Sequence, residues 1–199
     1  MYYKICFTIK TKKETDIPIF RALPLPEDKQ APIEEICRTL FGKENERRKS
    51  DPSYNCHGLT FIGKLGWIHP QRVVESSLIL PARLFIDQQR TDIEVIDIFL
   101  TENGYRRSAR INNIRQYEFK GNEDIQLGDI AVYKLSLGES RETVSHTGIV
   151  VKLAENNGKI DGFKVLSKLG PCGEYVHPYN IYDEGFGTIL EIWTDRDRQ

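Results

Sequence analysis

The chain has 199 residues, 39% of them hydrophobic, and its 28 basic and 29 acidic side chains leave a net charge of −1. Such a balance excludes the general basic field that would hold nucleic acid or an anionic membrane surface. The length and the apolar content are sufficient for one good-sized core, so we expect one compact domain with no nucleic acid and no membrane as partner.

The N-terminal segment and the cysteines indicate in which cellular compartment the protein is expected. In "MYYKICFTIKTKK" the apolar stretch is too short to span a bilayer, and the charges follow it rather than precede it. The four cysteines, Cys6, Cys37, Cys56 and Cys172, are too few and too far apart for a disulfide scaffold. These features predict a cytoplasmic protein with reduced thiols.

The first 50 residues are predicted to form a strand and a helix. "YYKICFTI" alternates as a strand does, and a proline-punctuated connector, "FRALPLPEDKQAP", follows it. From Pro32 to Gly42 we predict a helix with one buried stripe, made of Ile33, Ile36, Cys37, Leu40 and Phe41. The charged run "KENERRKSDPS" then predicts a solvated loop. Residues 1–50 are expected to form an extension packed on the main domain, which spans 51–199.

Two further helices are predicted downstream. In "NCHGLTFIGKLGWI", Asn55 is a good N-cap, and the inward stripe consists of Leu59, Ile62 and Leu65. In "RTDIEVIDIFLTENGY", Thr91 and Glu94 suit a capping box and Gly104 ends the helix. The residues predicted to be buried in it are Ile93, Ile96, Phe99 and Leu100.

The pattern changes to strands after this point. "IQLGDIAVYKL", "SHTGIVVKL", "GFKVLSKLG" and "GTILEIW" read as strands, and "ENNGK" suits a hairpin turn between the second and the third. Helices first and antiparallel strands afterwards favour an α+β domain, with the helix that begins at Cys56 packed on an antiparallel sheet.

Cys56 is the candidate nucleophile. A thiol attacks as its thiolate, which the free N–H groups of a helix's first turn and a nearby imidazolium both stabilise. Lowering the pKa by about two units is worth about 2.7 kcal/mol and makes most of the thiol reactive at neutral pH. The alternative is a small buried core residue at a helix start.

His146, in "SHTGIVV", is the candidate partner of that thiol. On a strand, His146 shares one face with Gly148 and Val150, while Thr147 and Ile149 lie on the other. A histidine at the mouth of a strand is able to reach a helix end. Its alternative role is that of a hydrogen-bonded structural or surface histidine.

The order of these motifs resembles that of the NlpC-like papain-fold cysteine peptidases. "NCHGL", "LGDIAVY" and "SHTGIVV" correspond to that family's cysteine helix start, glycine-aspartate strand entry and histidine strand, over roughly residues 53–170. The histidine follows the cysteine, unlike the permuted lecithin:retinol acyltransferase-like relatives. The sequence departs from the pattern at Asn55 and His57, where aspartate and serine are usual. An insertion at 67–92 would account for the long interval between Cys56 and His146.

The resemblance implies a papain-like fold and a catalytic set. Cys56 would be the nucleophile and His146 the general base, with Ser167 or His177 as the third polar group that orients the imidazole. The oxyanion would be held by the backbone N–H of Cys56 and by a second donor from His57 or Tyr54. Asp129 is interpreted as a turn and strand-entry residue.

The expected function is therefore cysteine-dependent hydrolysis of a peptide or amide bond, without a cofactor. Peptidoglycan is the substrate that the resemblance implies, whereas a cytoplasmic location favours a protein or γ-glutamyl substrate. Three alternatives stay open: an inactive peptide-binding module, an acyltransferase that resolves its thioester with an amine or alcohol, and a zinc site. No zinc-knuckle or helical histidine spacing supports the last of these. The sequence predicts no oligomeric state.

Overall fold

The computed structural model describes residues 3–22, 26–51, 53–64, 68, 95–120, 123–138, 141–170, 172–181 and 186–196. Within these ranges the chain is a mixed α+β structure with antiparallel sheets, as the sequence predicts. The helices are α1 (Glu27–Phe41), α2 (Cys56–Ile62) and α3 (Val95–Glu102), and a 3-10 turn lies at Lys43–Asn45.

Nine strands are described, in two sheets. The strands before α2 are β1 (Tyr3–Lys10), β2 (Asp16–Ala22) and β3 (Glu46–Arg48). Those after α3 are β4 (Arg106–Ile111), β5 (Ile130–Ser136), β6 (Glu142–Asn156), β7 (Lys159–Lys168), β8 (Glu174–Pro178) and β9 (Ile189–Thr194). β1 and β2 form a hairpin, and the remaining strands form a sheet in the order β3-β8-β7-β6-β5-β9-β4.

The β6–β7 hairpin is the longest element of the large sheet. Asn157 and Gly158 connect the two strands with φ angles of 52° and 73°. Positive φ at both positions is the signature of a tight turn whose twist matches that of the strands. The predicted "ENNGK" turn is confirmed.

Each face of the large sheet carries its own core. α1 covers one face, where Cys37 and Phe41 join Tyr133, Val150 and Val165. The other face holds Val132 and Val144 from the sheet with Ile96 and Leu100 from α3. Phe61 and Ile62 of α2 pack against this second core, as do Ile17 and Ile19 of β2. Residues before position 50 therefore contribute to both cores.

Some details of α1 were predicted wrongly. The helix begins at Glu27 and contains Pro32 as an internal residue, whereas the sequence predicted a start at Pro32. Cys37 is buried as predicted, but Ile36 and Leu40 are 58% and 45% exposed. The buried stripe is thus narrower than the apolar pattern suggested.

The other helices follow the sequence more closely. α2 begins after Asn55 and buries Leu59, as predicted. α3 buries Ile96 and Leu100 but begins at Val95 in the described chain, and the predicted capping box at Thr91 and Glu94 lies outside the described residues. Leu65 and Ile93 also lie outside them.

The described helices are all too short or too polar to cross a membrane. The strands β2, β3, β4 and β8 were not predicted. β3 occupies part of the charged run that was expected to be a loop.

Candidate functional site

The start of α2 is fixed by Asn55. Its side-chain oxygen accepts a hydrogen bond from the Gly58 N–H at 2.8 Å, and its amide nitrogen donates to the Ile68 carbonyl at 2.9 Å. Both the oxygen and the nitrogen of the amide are therefore hydrogen-bonded, which fixes the orientation of the side chain. Asn55 is the N-cap, so the helix begins at Cys56. Asn55 is buried, so the cap also satisfies polar groups that water does not reach.

The Cys56 sulfur lies among hydrogen-bond donors. The backbone N–H groups of Thr147, His57 and Cys56 itself, together with the Thr147 hydroxyl, all favour its thiolate. Burial acts in the opposite direction and is the larger effect, so the pKa of Cys56 is raised above its ordinary value. The sequence predicted a lowered pKa, and this prediction is wrong for the structure described, because the thiol is only 7% exposed.

Thr147 connects α2 to β6. Its hydroxyl lies 2.9 Å from Nδ1 of His57 and donates to the Thr60 hydroxyl at 3.2 Å, and Thr60 in turn donates to the Cys56 carbonyl. Thr147 is fully buried, and His57 is 2% exposed. His57 is therefore not a solvent-facing helical residue. It contacts Thr147, and a role toward an oxyanion stays a prediction.

His146 precedes Thr147 on β6 and packs against aromatic side chains. Its ring centroid lies 4.2 Å from that of Phe186 and 5.7 Å from that of Tyr133, the residue opposite it on β5. Burial, reinforced by His177 and His57, lowers the pKa of His146 well below its ordinary value. The imidazole is therefore neutral, the form that a general base requires.

No hydrogen bond joins His146 to Cys56 in the described part of the chain, although Thr147, the residue after His146, acts on the Cys56 thiol. His146 pairs with Tyr133 on the face that α1 covers, whereas Thr147 pairs with Val132 on the face that carries α2. Nε2 of His146 is buried without a hydrogen-bond partner in the described structure, so no bond joins it to the Cys56 sulfur. The two elements thus carry His146 and Cys56 to opposite faces of the sheet, and the pairing of thiol and imidazole stays a prediction.

The two candidates for the third catalytic group bind each other. The Ser167 hydroxyl lies 2.7 Å from Nε2 of His177, and Nδ1 of His177 lies 2.8 Å from the Pro178 carbonyl. Because a carbonyl only accepts, Nδ1 carries the proton, and Ser167 donates to Nε2. The His177 and His146 ring centroids are 6.2 Å apart. The glycine-rich segment "SKLGPCGEYVHP" predicts a loop, whereas His177 belongs to β8.

Tyr54 lies in a group of charged side chains. Its hydroxyl donates to the Glu174 carboxylate, which also binds the Lys64 ammonium at 2.7 Å. The Lys168 ammonium lies 4.8 Å from the centre of the Tyr54 ring, at cation–π distance. The Tyr54 hydroxyl is thus engaged by Glu174 rather than directed to a substrate carbonyl.

Lys168 is a residue that the sequence reasoning missed. It is fully buried at the end of β7, and burial lowers its pKa to about 8, while the acidic groups around it, Cys56 among them, act to raise it. Its ammonium donates to the Gly170 carbonyl at 2.8 Å and to that of Cys172. Lys168 shares a face of β7 with the half-buried Leu166, opposite Val165 and Ser167, so alternation along "KVLSK" did not mark it as buried.

Metal binding was an alternative for this site. Among the described residues, no group of three histidine, cysteine or acidic side chains is arranged to hold a metal ion. Comparison of the chain with protein-family models, with curated proteins and with solved structures found no match.

Proposed function

We propose that the protein is a thiol-dependent hydrolase that cleaves a peptide or amide bond through an acyl-enzyme on Cys56, with His146 as general base. The observation that carries the proposal is the donor set around the Cys56 sulfur. The backbone N–H groups of Thr147, His57 and Cys56 and the Thr147 hydroxyl favour its thiolate, and Thr147 directly follows His146, whose Nε2 is buried without a hydrogen-bond partner in the described part of the chain.

The resting state on this account is a neutral thiol beside a neutral imidazole. Burial disfavours both charged forms, since it raises the pKa of Cys56 and lowers that of His146. The thiol proton therefore leaves only as the sulfur attacks, and His146 takes it at that moment. A nitrogen of His146 must come within hydrogen-bond distance of the sulfur in the substrate complex, because catalytic contacts often tighten only there.

The remaining steps follow from this arrangement. The sulfur adds to the carbonyl carbon, and backbone N–H groups beside Cys56 stabilise the developing oxyanion. The His146 imidazolium then protonates the leaving amine, which departs and leaves a thioester on Cys56. Water, deprotonated by His146, hydrolyses the thioester and regenerates the thiol.

The substrate class follows from the same chemistry together with the sequence resemblance. A thioester forms from amides and esters alike, and the NlpC-like pattern points to peptide bonds, including those of peptidoglycan. A protein or γ-glutamyl amide in the cytoplasm is the alternative substrate. An amine or alcohol acceptor in place of water would make the same thioester the intermediate of an acyl transfer.

Intact mass spectrometry tests the proposal. The protein is incubated with a panel of peptide amides, γ-glutamyl amides, activated esters and peptidoglycan stem peptides, with and without an added amine. We expect an acyl adduct on Cys56 and a product that the Cys56→Ala variant does not form, while Cys172→Ala still forms it. Cleavage that survives in Cys56→Ala, or no adduct and no product with any compound, would overturn the proposal. Acyl transfer to the amine in preference to water would overturn the hydrolase assignment.

A further inference from the structure

Cys37 and Cys172 are two buried thiols in direct contact. The Cys37 thiol donates to the Cys172 sulfur at a sulfur–sulfur distance of 2.7 Å, so no other atom separates them. Cys37 is 2% exposed on α1, and Cys172 is 1% exposed in the loop between β7 and β8. In the sequence, Cys172 lies in the glycine-rich segment "SKLGPCGEYVHP", which predicts a loop with an exposed, ordinary thiol, and the burial of Cys172 contradicts this prediction.

The pKa values of the two thiols shift in opposite directions. The hydrogen bond from Cys37 and the positive charge of Lys168 lower the pKa of Cys172. Donating that bond raises the pKa of Cys37, and burial adds to the effect. Cys172 is therefore the more easily ionised thiol, with a protonated partner in contact.

We propose that Cys37 and Cys172 form an oxidisable pair that a peroxide converts into a disulfide linking α1 to the loop after β7. This inference does not depend on the proposed hydrolase function. The Cys172 thiolate attacks one oxygen of hydrogen peroxide, the O–O bond breaks, and the released hydroxide takes up a proton to become water. The Cys37 sulfur then attacks the Cys172 sulfenic acid, loses its proton, and displaces a second water as the S–S bond forms. Two thiols are oxidised, and one peroxide is reduced.

The bond would join parts of the chain that are distant in sequence. α1 packs over the face that carries His146, and the loop with Cys172 supplies the carbonyls that hold the Lys168 ammonium. A cross-link between residues 37 and 172 closes a long loop and restricts the unfolded chain, which stabilises the folded state. We therefore expect the oxidised protein to unfold at a higher temperature than the reduced one.

Peptide mapping of the native protein tests the inference without a variant. The reduced protein is treated with hydrogen peroxide, denatured in the presence of an alkylating reagent and digested without a reductant. We expect one cross-linked peptide pair that contains Cys37 and Cys172, lighter by two hydrogens, and no cross-link at Cys56.

Variants then separate the pair from the other cysteines. Cys37→Ala and Cys172→Ala should each abolish the cross-link and the rise in unfolding temperature, whereas Cys56→Ala should keep both. The inference is wrong if peroxide leaves both residues as thiols, carries Cys172 on to sulfinic acid with Cys37 still reduced, or links either one to Cys6 or Cys56.

Discussion

The Ser167 hydroxyl lies 2.7 Å from Nε2 of His177, and each is 1% exposed. Both were candidates for orienting His146, but their hydrogen bonds run to each other and to the Pro178 carbonyl. Rings from Phe41, Tyr133 and Phe186 surround His177. The pair therefore satisfies buried polar groups within the α1-side core, and His146 has no orienting hydrogen bond from it.

The protonation of His177 is expected to make folding stability depend on pH. Burial lowers its folded-state pKa from 6.5 to about 4. Between these values the unfolded chain binds a proton that the folded chain does not, so stability falls as the pH falls from about 6.5 to about 4. The contribution lost is at most about 3 kcal/mol, at about 1.4 kcal/mol per pKa unit.

Urea denaturation of the wild type and of His177→Gln at several pH values measures this contribution. Glutamine keeps an oxygen that accepts from Ser167 and does not titrate. The free energy of unfolding of the wild type should fall relative to that of His177→Gln as the pH falls through this range. Parallel curves between pH 4 and 7 would show that His177 is not a buried neutral histidine.

Thr147 is expected to act on the Cys56 sulfur by turning its one hydroxyl proton from Thr60 toward the developing thiolate. Thr147→Val keeps the shape of the side chain but removes the hydroxyl and leaves Nδ1 of His57 without this partner. A lost hydrogen bond to a developing thiolate is worth about 1.5 kcal/mol, so we expect the alkylation of Cys56 at neutral pH to slow by about tenfold. Thr147→Ser keeps the hydroxyl and is the matched control. Equal rates in the valine variant and the wild type would remove Thr147 from the site.

Gly148 is required where β7 approaches β6. A Cβ at Gly148 would lie 2.3 Å from a methyl carbon of Val165 and 2.8 Å from the Leu166 carbonyl oxygen. We expect Gly148→Ala to destabilise the fold by about 1–3 kcal/mol, because the two strands must separate to admit a methyl group.

Gly162 provides the matched control on the same hairpin. A Cβ there meets nothing closer than 3.8 Å, so Gly162→Ala should be close to neutral in thermal or urea denaturation. If both alanines have the same effect, the close approach of the strands at Gly148 is not what constrains this position.

The burial of Lys168 predicts that folding stability depends on pH in the alkaline range. Its folded-state pKa is lowered to about 8 from 10.5, so between these values the folded chain releases a proton that the unfolded chain keeps. The stability of the wild type relative to Lys168→Met should therefore rise by up to about 3 kcal/mol from pH 8 to pH 10.5. Lys152→Met removes an exposed lysine of β6 and controls for the loss of charge. A constant difference across this range would show that Lys168 is not buried as a cation.

The sequence predicted those elements whose pattern agrees with their place in the core. α2, the β6–β7 hairpin and β9 carry clear capping, turn or alternation signals, and the structure confirms them. The strand β4, "RRSARI", was not predicted, because its arginines interrupt the alternation of apolar and polar residues. Arg107 and Arg110 bind the fully buried Glu191 on β9, a pairing that only the folded sheet makes visible.

The sequence predicted the local elements that hold the candidate site residues but not their surroundings, and the reason is physical. Local sequence shows that Asn55 caps a helix, but it placed His146 at the mouth of a strand, and this is wrong, because β6 begins at Glu142 and His146 lies inside it. The pKa of Cys56 depends on how completely the helix start is buried, which comes from the packing of α2 on β6. The hydrogen bond between Ser167 and His177 depends on β8. This strand was not predicted, because the glycines of "SKLGPCGEYVHP" are typical of a loop.

The most direct test of the account is whether His146 acts on Cys56. The rate of Cys56 alkylation by iodoacetamide at neutral pH is measured by peptide mapping in the wild type, in His146→Gln and in His177→Gln. General-base assistance predicts that His146→Gln slows the reaction by at least about tenfold, while His177→Gln leaves it close to the wild-type rate. An unchanged rate in His146→Gln would contradict the pairing of thiol and imidazole on which the proposed hydrolase depends.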